Sequence, residues 1–263
     1  MTAILKVVRY ELENVLRSRW VLAYGLFFLV ASELLVSMAG SGPRALLGLV
    51  NLVVLLVPLV TIVFGTIYWH GSREFTELLL AQPVQRTTLF HGLFAGLVLP
   101  LSAAFAVGLS LPLLWHRSLD RTGAEILLLM LFSGVALTAI FGALAVLIGG
   151  LVEDRLRGLA WALSLWLLFT VVYDGLLLFV SVNFSDYPLE GPLLGLTFAN
   201  PVDLVRVLLV LRFDIAALMG YTGAVFDKFL GSTLGTAAAL LGLVAWALLP
   251  GLLALRVFQR RDF

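Results

Sequence analysis

Residues 72–88 read SREFTELLLAQPVQRTT, a charged stretch set between two runs that are almost wholly apolar. Ser72 is placed to cap a helix, Glu74 falls in the first turn where the helix dipole favours an anion, and Phe75, Leu78 and Leu79 share one face. Pro83 ends the pattern, and Thr87 or Thr88 is placed to cap the next span. The stretch predicts a short amphipathic helix over 72–82, held at a membrane surface. From the residues alone it is either an interfacial turn that covers lipid or a docking element, with an apolar ridge for a partner and charges that fix register.

The flanking sequence supplies the membrane. Of the 263 residues, 61% are hydrophobic and 13% charged, whereas an ordinary globular domain carries about 25% charged residues. Apolar runs reach the roughly 20 residues that a helix needs to cross a hydrocarbon core. They give six spans near 20–40, 46–69, 88–115, 125–152, 158–182 and 234–258, hence an all-α membrane protein with one transmembrane domain over 20–263. Pro100 and Pro112 predict a third span that is kinked or ends early. Residues 1–19 place Ile4, Leu5, Val8, Leu12, Val15 and Leu16 at helical spacing with Lys6, Arg9, Glu13 and Arg17 between them, the pattern of a helix lying on the membrane. No secretory signal pattern is evident at this end.

Charge orients the spans. With the N-terminus inside, the cytoplasmic segments hold Lys6, Arg9, Arg17, Arg19, Arg73, Arg86, Arg155, Arg157, Arg256, Arg260 and Arg261, and the opposite side holds Arg44, Arg117, Arg121, Arg206, Arg212 and Lys228. That bias predicts both termini in the cytoplasm. The segment 183–233 then faces outward. Asn200 is placed to cap a helix begun by Pro201, and Asp203, Arg206, Arg212 and Asp214 make a full crossing costly, so two short helices dipping into the outer leaflet are expected, with a seventh span as the competing reading.

Absent chemistry narrows the function. The chain has no cysteine and therefore no disulfide or thiolate site. Neither of its lysines, Lys6 and Lys228, follows a glycine, so it lacks the glycine-rich phosphate loop of an ATPase. His70, His91 and His116 fall at different span ends and the methionines are scattered, so no metal site is expected. Glu33 in the first span and Asp174 in the fifth are candidates for a translocation path, with Asn51 in the second as a weaker member; alternatively either carboxylate lies nearer the outer interface.

An amphipathic N-terminal helix, two spans, a charged segment ending in LLLAQPVQRTTLFHG, four more spans and a terminal RRDF come in an order that resembles the ABC-2 class of ABC-transporter permeases. Within that class the chain is similar to the permease subunits of nitrous-oxide-reductase maturation transporters, through YELENVLRSRW (Tyr10 to Trp20), SREFTELLLAQPVQRTT, ANPVDLVRV (Ala199 to Val207) and MGYTGAVF (Met219 to Phe226), and the likeness runs essentially the full length. The resemblance implies that 72–82 is a coupling helix seated in a cleft of a cytoplasmic ABC ATPase, with Arg73, Glu74, Phe75, Glu77, Leu78, Leu79 and Gln82 at the contact. It implies two ATPase copies that hold ATP and Mg, no cofactor in this subunit, and a second permease copy packed through the first and fifth spans.

It further implies a multi-pass protein of the bacterial inner membrane that binds no nucleic acid. Its outward segment, Asp186 to Lys228, would meet a periplasmic β-helical protein through Pro201, Asp203, Arg206 and Arg212, in service of the copper-sulfide site of nitrous oxide reductase. Many relatives carry a denser acidic cluster where this chain has Arg73 beside Glu74, which leaves the charge complement of the partner open. Three other functions compete. One is an ABC-2 exporter of drugs, lipids or polysaccharide; the second is a proton-coupled carrier using Glu33 and Asp174. The third, an intramembrane enzyme, finds no protease or metalloprotease motif.

Overall fold

The computed structural model describes residues 18–39, 42–80, 85–116, 121–184, 190–213 and 229–260, and the elements assigned among them are helical. Six stretches are long and apolar enough to cross a membrane. They are α1 (Arg19–Ala39), α2 (Gly42–Gly71), α4 (Arg86–Trp115), α5 (Arg121–Leu151), the pair α6 (Arg155–Leu167) and α7 (Tyr173–Asn183) joined by a π turn at Leu168–Val172, and α10 (Thr233–Arg260). The short α3 (Arg73–Leu80) lies between the second and third spans. Between the fifth and sixth lie α8 (Glu190–Phe198), α9 (Pro201–Val210) and a 3-10 turn, Leu211–Phe213. The helix expected over residues 1–19 falls almost wholly outside the described residues.

Four spans begin on arginine, at Arg19, Arg86, Arg121 and Arg155, a few residues before the apolar runs do. The backbone stays helical until its polar groups reach water, while the arginine stems lie along apolar surface with their heads outside. Two expectations about where the third span begins and ends are corrected. Helix α4 runs unbroken from Arg86 to Trp115 with Pro100 and Pro112 inside it, both buried, because neighbouring helices cover the backbone groups that the prolines disturb. It starts from Gln85 with no side-chain cap, so Thr87 and Thr88 sit inside its first turn.

Both the interior and much of the surface are apolar, with Leu26, Leu128, Leu178 and Leu248 exposed, as lipid permits and water does not. Helix α5 is the hub: it packs along α2 and α10, α1 packs along α4, and α6 packs on α2. In α5's apolar window 61% is buried against 6% for the fifth span, which therefore forms a rim with an uncovered face. Close approach depends on missing side chains. A Cβ on Gly108 would lie 2.4 Å from Gly25 O, and one on Gly134 would lie 2.2 Å from the ring of Phe105, which itself meets Phe28 edge-on at 5.1 Å.

Helices α8 and α9 form a hairpin bent by 114°, so the two legs do not make one straight crossing. Asn200 caps α9, its Oδ1 accepting from Val202 N–H at 2.9 Å, and Pro201 supplies the first helical position. The apex is level with the middle of the neighbouring spans. Asn200 Nδ2 donates to Phe169 O at 2.8 Å in the fifth span, and Trp246 Nε1, midway along α10, donates to Phe198 O at 3.0 Å. Nearly the whole of α9 is buried, against α2, α5 and α10.

Candidate functional site

Helix α3 is joined to α2 through the single residue Ser72. Ser72 N–H bonds back to Tyr68 O and Thr76 N–H to Ser72 O, each at 2.9 Å, so helical bonding carries across the junction. The Ser72 hydroxyl donates to Trp69 O at 3.0 Å instead of capping α3, which corrects the expected cap. The exposed face holds Arg73, Glu74, Glu77 and Leu78, with Arg73 Nε donating to Glu77 Oε1 at 3.0 Å one turn on. The inward face holds buried Thr76, whose hydroxyl donates to Ser72 O at 2.8 Å, and Leu79 and Leu80 packed on the core. The expected ridge of Phe75, Leu78 and Leu79 is thus divided: Leu79 anchors, Phe75 is half-buried and Leu78 is left outside. Gln82 lies outside the described residues.

The foot of α3 gathers five of the six spans. Trp69 of α2, Phe90 of α4 and Phe258 of α10 pack ring to ring, with centroids 5.6 Å apart for Trp69 and Phe258 and 5.7 Å for Phe90 and Phe258. Trp69 packs against Gly149 of α5, where a Cβ would sit 2.4 Å from its Cδ1. His70 sets Nδ1 2.8 Å from Thr66 O and Nε2 3.0 Å from Val152 O, bracing α2 against the turn after α5. Gly158 of α6 closes on the same ring, and Arg86 donates to Gln259 O at 3.0 Å. His70 reads from the sequence only as a histidine at a span end, since nothing local records a partner 82 positions away.

The polar residues expected inside the spans are dispersed. Glu33 Oε1 accepts from His116 Nε2 at 2.8 Å, where the ends of α1 and α4 remote from α3 meet, and both side chains are about half exposed. Asn51 is exposed on α2. Asp174 comes directly after the π turn. There Tyr173 N–H reaches back five residues to Leu168 O, which deprives Phe169 O of its usual donor, and Asn200 supplies the replacement. The turn also aims Tyr173 and Asp174 at the hairpin: Tyr173 OH donates to Leu196 O at 2.7 Å, and Arg206 pairs with Asp174 and, at 3.1 Å, with Asp203.

Asp174, expected on a translocation path, therefore forms one cluster with Asp203 and Arg206, expected together at a partner contact, while Glu33 finds a different partner. Pro201 and Asp203 are buried beneath the hairpin, which corrects their expected place on a partner-facing surface. Arg212 is exposed and donates to Thr236 Oγ1 at 3.0 Å. Among the described residues no group of three or more His, Asp or Glu is placed to hold a metal ion.

Comparison with known proteins sets this geometry beside relatives. A family profile described as ABC-2 family transporter protein matches residues 5–263. The chain is 30% identical to a protein of Stutzerimonas stutzeri named probable ABC transporter permease protein NosY, over 99% of each chain. It is 29% identical to the protein of the same name from Pseudomonas aeruginosa, again over 99% of each.

Proposed function

The chain belongs to the ABC-2 family of transporter proteins, and from that membership we infer that α3 is the element by which a separate cytoplasmic ATPase drives it. The chain is the multi-pass permease subunit of an ABC transporter. The observation that carries the reading is the division of α3 into two faces. Arg73, Glu74, Glu77 and Leu78 are open to a partner, while Thr76, Leu79 and Leu80 are fixed to a base where five spans meet. A push on the open face is delivered to the spans through near-continuous helical backbone into α2, and through Trp69 and His70 into α4, α5, α6 and α10.

In this reading the end bearing α3 is cytoplasmic, in keeping with Arg19, Arg73, Arg86, Arg155, Arg157, Arg256 and Arg260 gathered there. Two ATPase subunits bind ATP and Mg and hydrolyse the nucleotide, since this chain has no phosphate loop, and a second permease copy covers the open rim of the fifth span. Full-length likeness to two permeases named NosY supports assignment to the subfamily that serves copper-sulfide site maturation of nitrous oxide reductase, in the bacterial inner membrane, with the outward segment meeting a periplasmic β-helical protein. The test is co-purification of the full-length chain with a co-expressed ABC ATPase. Glu74→Arg with Glu77→Arg is expected to remove the ATPase from the complex, or to abolish its coupled hydrolysis, while the permease still inserts. Unchanged binding and hydrolysis would overturn the docking role.

A further inference from the structure

The cluster beneath the hairpin carries more negative charge than it balances. Arg206 Nη1 donates to Asp174 Oδ1 and to Asp203 Oδ1, so two carboxylates share one guanidinium nitrogen. Asp203 is 2% exposed, and its second oxygen, Oδ2, is buried without a hydrogen-bond partner. An ionised carboxylate only accepts hydrogen bonds, and a buried uncompensated charge is costly. The Asp174 and Asp203 carboxyls thus meet at one nitrogen, with Oδ1 atoms 2.5 Å and 3.1 Å from it. Two carboxylates gathered on one cation repel each other, and a proton bound to the pair removes that repulsion. A metal cation fits less well, because a hard cation takes about six or more oxygen ligands and the site offers two carboxyls among apolar neighbours.

We propose that Asp174 and Asp203 bind one proton between them, and that this proton latches the α8–α9 hairpin to the fifth span. With the proton in place the cluster is neutral. Without it two like charges oppose each other across the seam between hairpin and span. The other charged or titratable side chains facing the pair, among the described residues, are Arg206 on α9 and Tyr173 on α7. On the helices packed against α9, Glu125 of α5 turns to Arg121, α10 carries its charges at the base, and α2 and α8 carry Arg44 and Glu190 in their first turns, while the 3-10 turn directs Arg212 to Thr236. Loss of the proton loosens the Asp174 contact, while Asn200 and Trp246 still hold the apex, so the hairpin leg outside the apex responds.

The test uses the full-length chain in lipid nanodiscs. Infrared difference spectra between acid and alkaline pH read the carbonyl stretch of a protonated carboxylic acid directly in the wild type. A titrating band is expected, lost in Asp203→Asn and kept in Glu33→Gln. Because the chain has no cysteine, Gly191→Cys, which has open space for a side chain, gives a single label site on α8. Its labelling, divided by that of a free thiol at the same pH to remove the thiolate fraction, is expected to rise about tenfold per pH unit above the titration, the slope of one linked proton. In Asp203→Asn, which cannot share the proton, the normalised labelling becomes independent of pH, and Asp174→Asn serves as the second such variant. A wild type with no titrating carboxylic band, or an Asp203→Asn variant that keeps the band or the pH dependence, overturns the proposal.

Discussion

Replacing Asn200 with alanine removes both hydrogen bonds at the hairpin apex and leaves the apolar packing of α9 in place. Oδ1 caps Val202 N–H at 2.9 Å and Nδ2 serves the Phe169 carbonyl at 2.8 Å, and the side chain is fully buried. Loss of a helix N-cap costs about 1 kcal/mol. The Phe169 carbonyl, already deprived of its helical donor by the π turn, is left unpaired at a cost of about 1–3 kcal/mol. Hydrogen bonds at membrane depth average nearer 0.6 kcal/mol, because the unfolded chain in the membrane also finds partners, so the lower half of the range applies. The expected loss is about 2–3 kcal/mol, which lowers the folded-to-unfolded ratio roughly 30- to 160-fold. The assay is equilibrium unfolding of the purified full-length chain in mixed micelles under increasing anionic detergent. Asn200→Asp keeps the cap acceptor but sets a carboxylate against the Phe169 carbonyl, and is expected to be no more stable than Asn200→Ala. Asn51→Ala, at an exposed position on α2, is expected within about 0.5 kcal/mol of wild type. If Asn200→Ala proves as stable as Asn51→Ala, the apex bonds do not hold the hairpin and the reasoning fails.

Gly108→Leu forces a side chain onto Gly25 O, 2.4 Å from where its Cβ would lie, so α1 and α4 must part; folded yield in detergent is expected to collapse, while Gly251→Ala, which meets nothing, leaves it unchanged. Phe258→Ala empties the ring cluster at the foot of α3, costing about 3 kcal/mol in unfolding experiments. It is also expected to reduce ATP hydrolysis by the assembled complex while ATPase binding survives. Trp246→Phe keeps the edge-on contact with Phe169 but loses the donor to Phe198 O, for a loss of about 1 kcal/mol by the same assay. Gly158→Val drives a side chain against the His70 ring, 2.9 Å from its Cε1; a thermal midpoint lowered by several degrees is expected, and an unchanged one would remove His70 as a brace.

The spans and the short helix after the second were legible because their causes are local. The length of an apolar run fixes whether it crosses lipid, and the charges in SREFTELLLAQPVQRTT mark where a helix must leave it. The cap at Asn200 and the start at Pro201 were legible for the same reason: a side chain and the backbone two residues on are enough to define them. The missed features share the opposite property. Prolines 100 and 112 read as a kink or an early end because a single helix has nothing to replace what they remove, whereas in the packed bundle the helix runs on past both. The π turn before Tyr173 left no mark in composition, since LFTVV suits an α-helix equally well.

What the chain determined by itself, then, was an all-α membrane protein of six spans with an amphipathic helix at the base, because burial of an apolar run and satisfaction of a helical backbone need no distant partner. Tertiary structure alone decided which ionisable group meets which. Arg206 joins Asp174 from 32 positions away, His70 finds Val152 across 82 and Arg86 reaches Gln259 across 173. A charge in an apolar surrounding takes the partner that folding brings within a few ångströms, and separation along the chain carries no record of that distance.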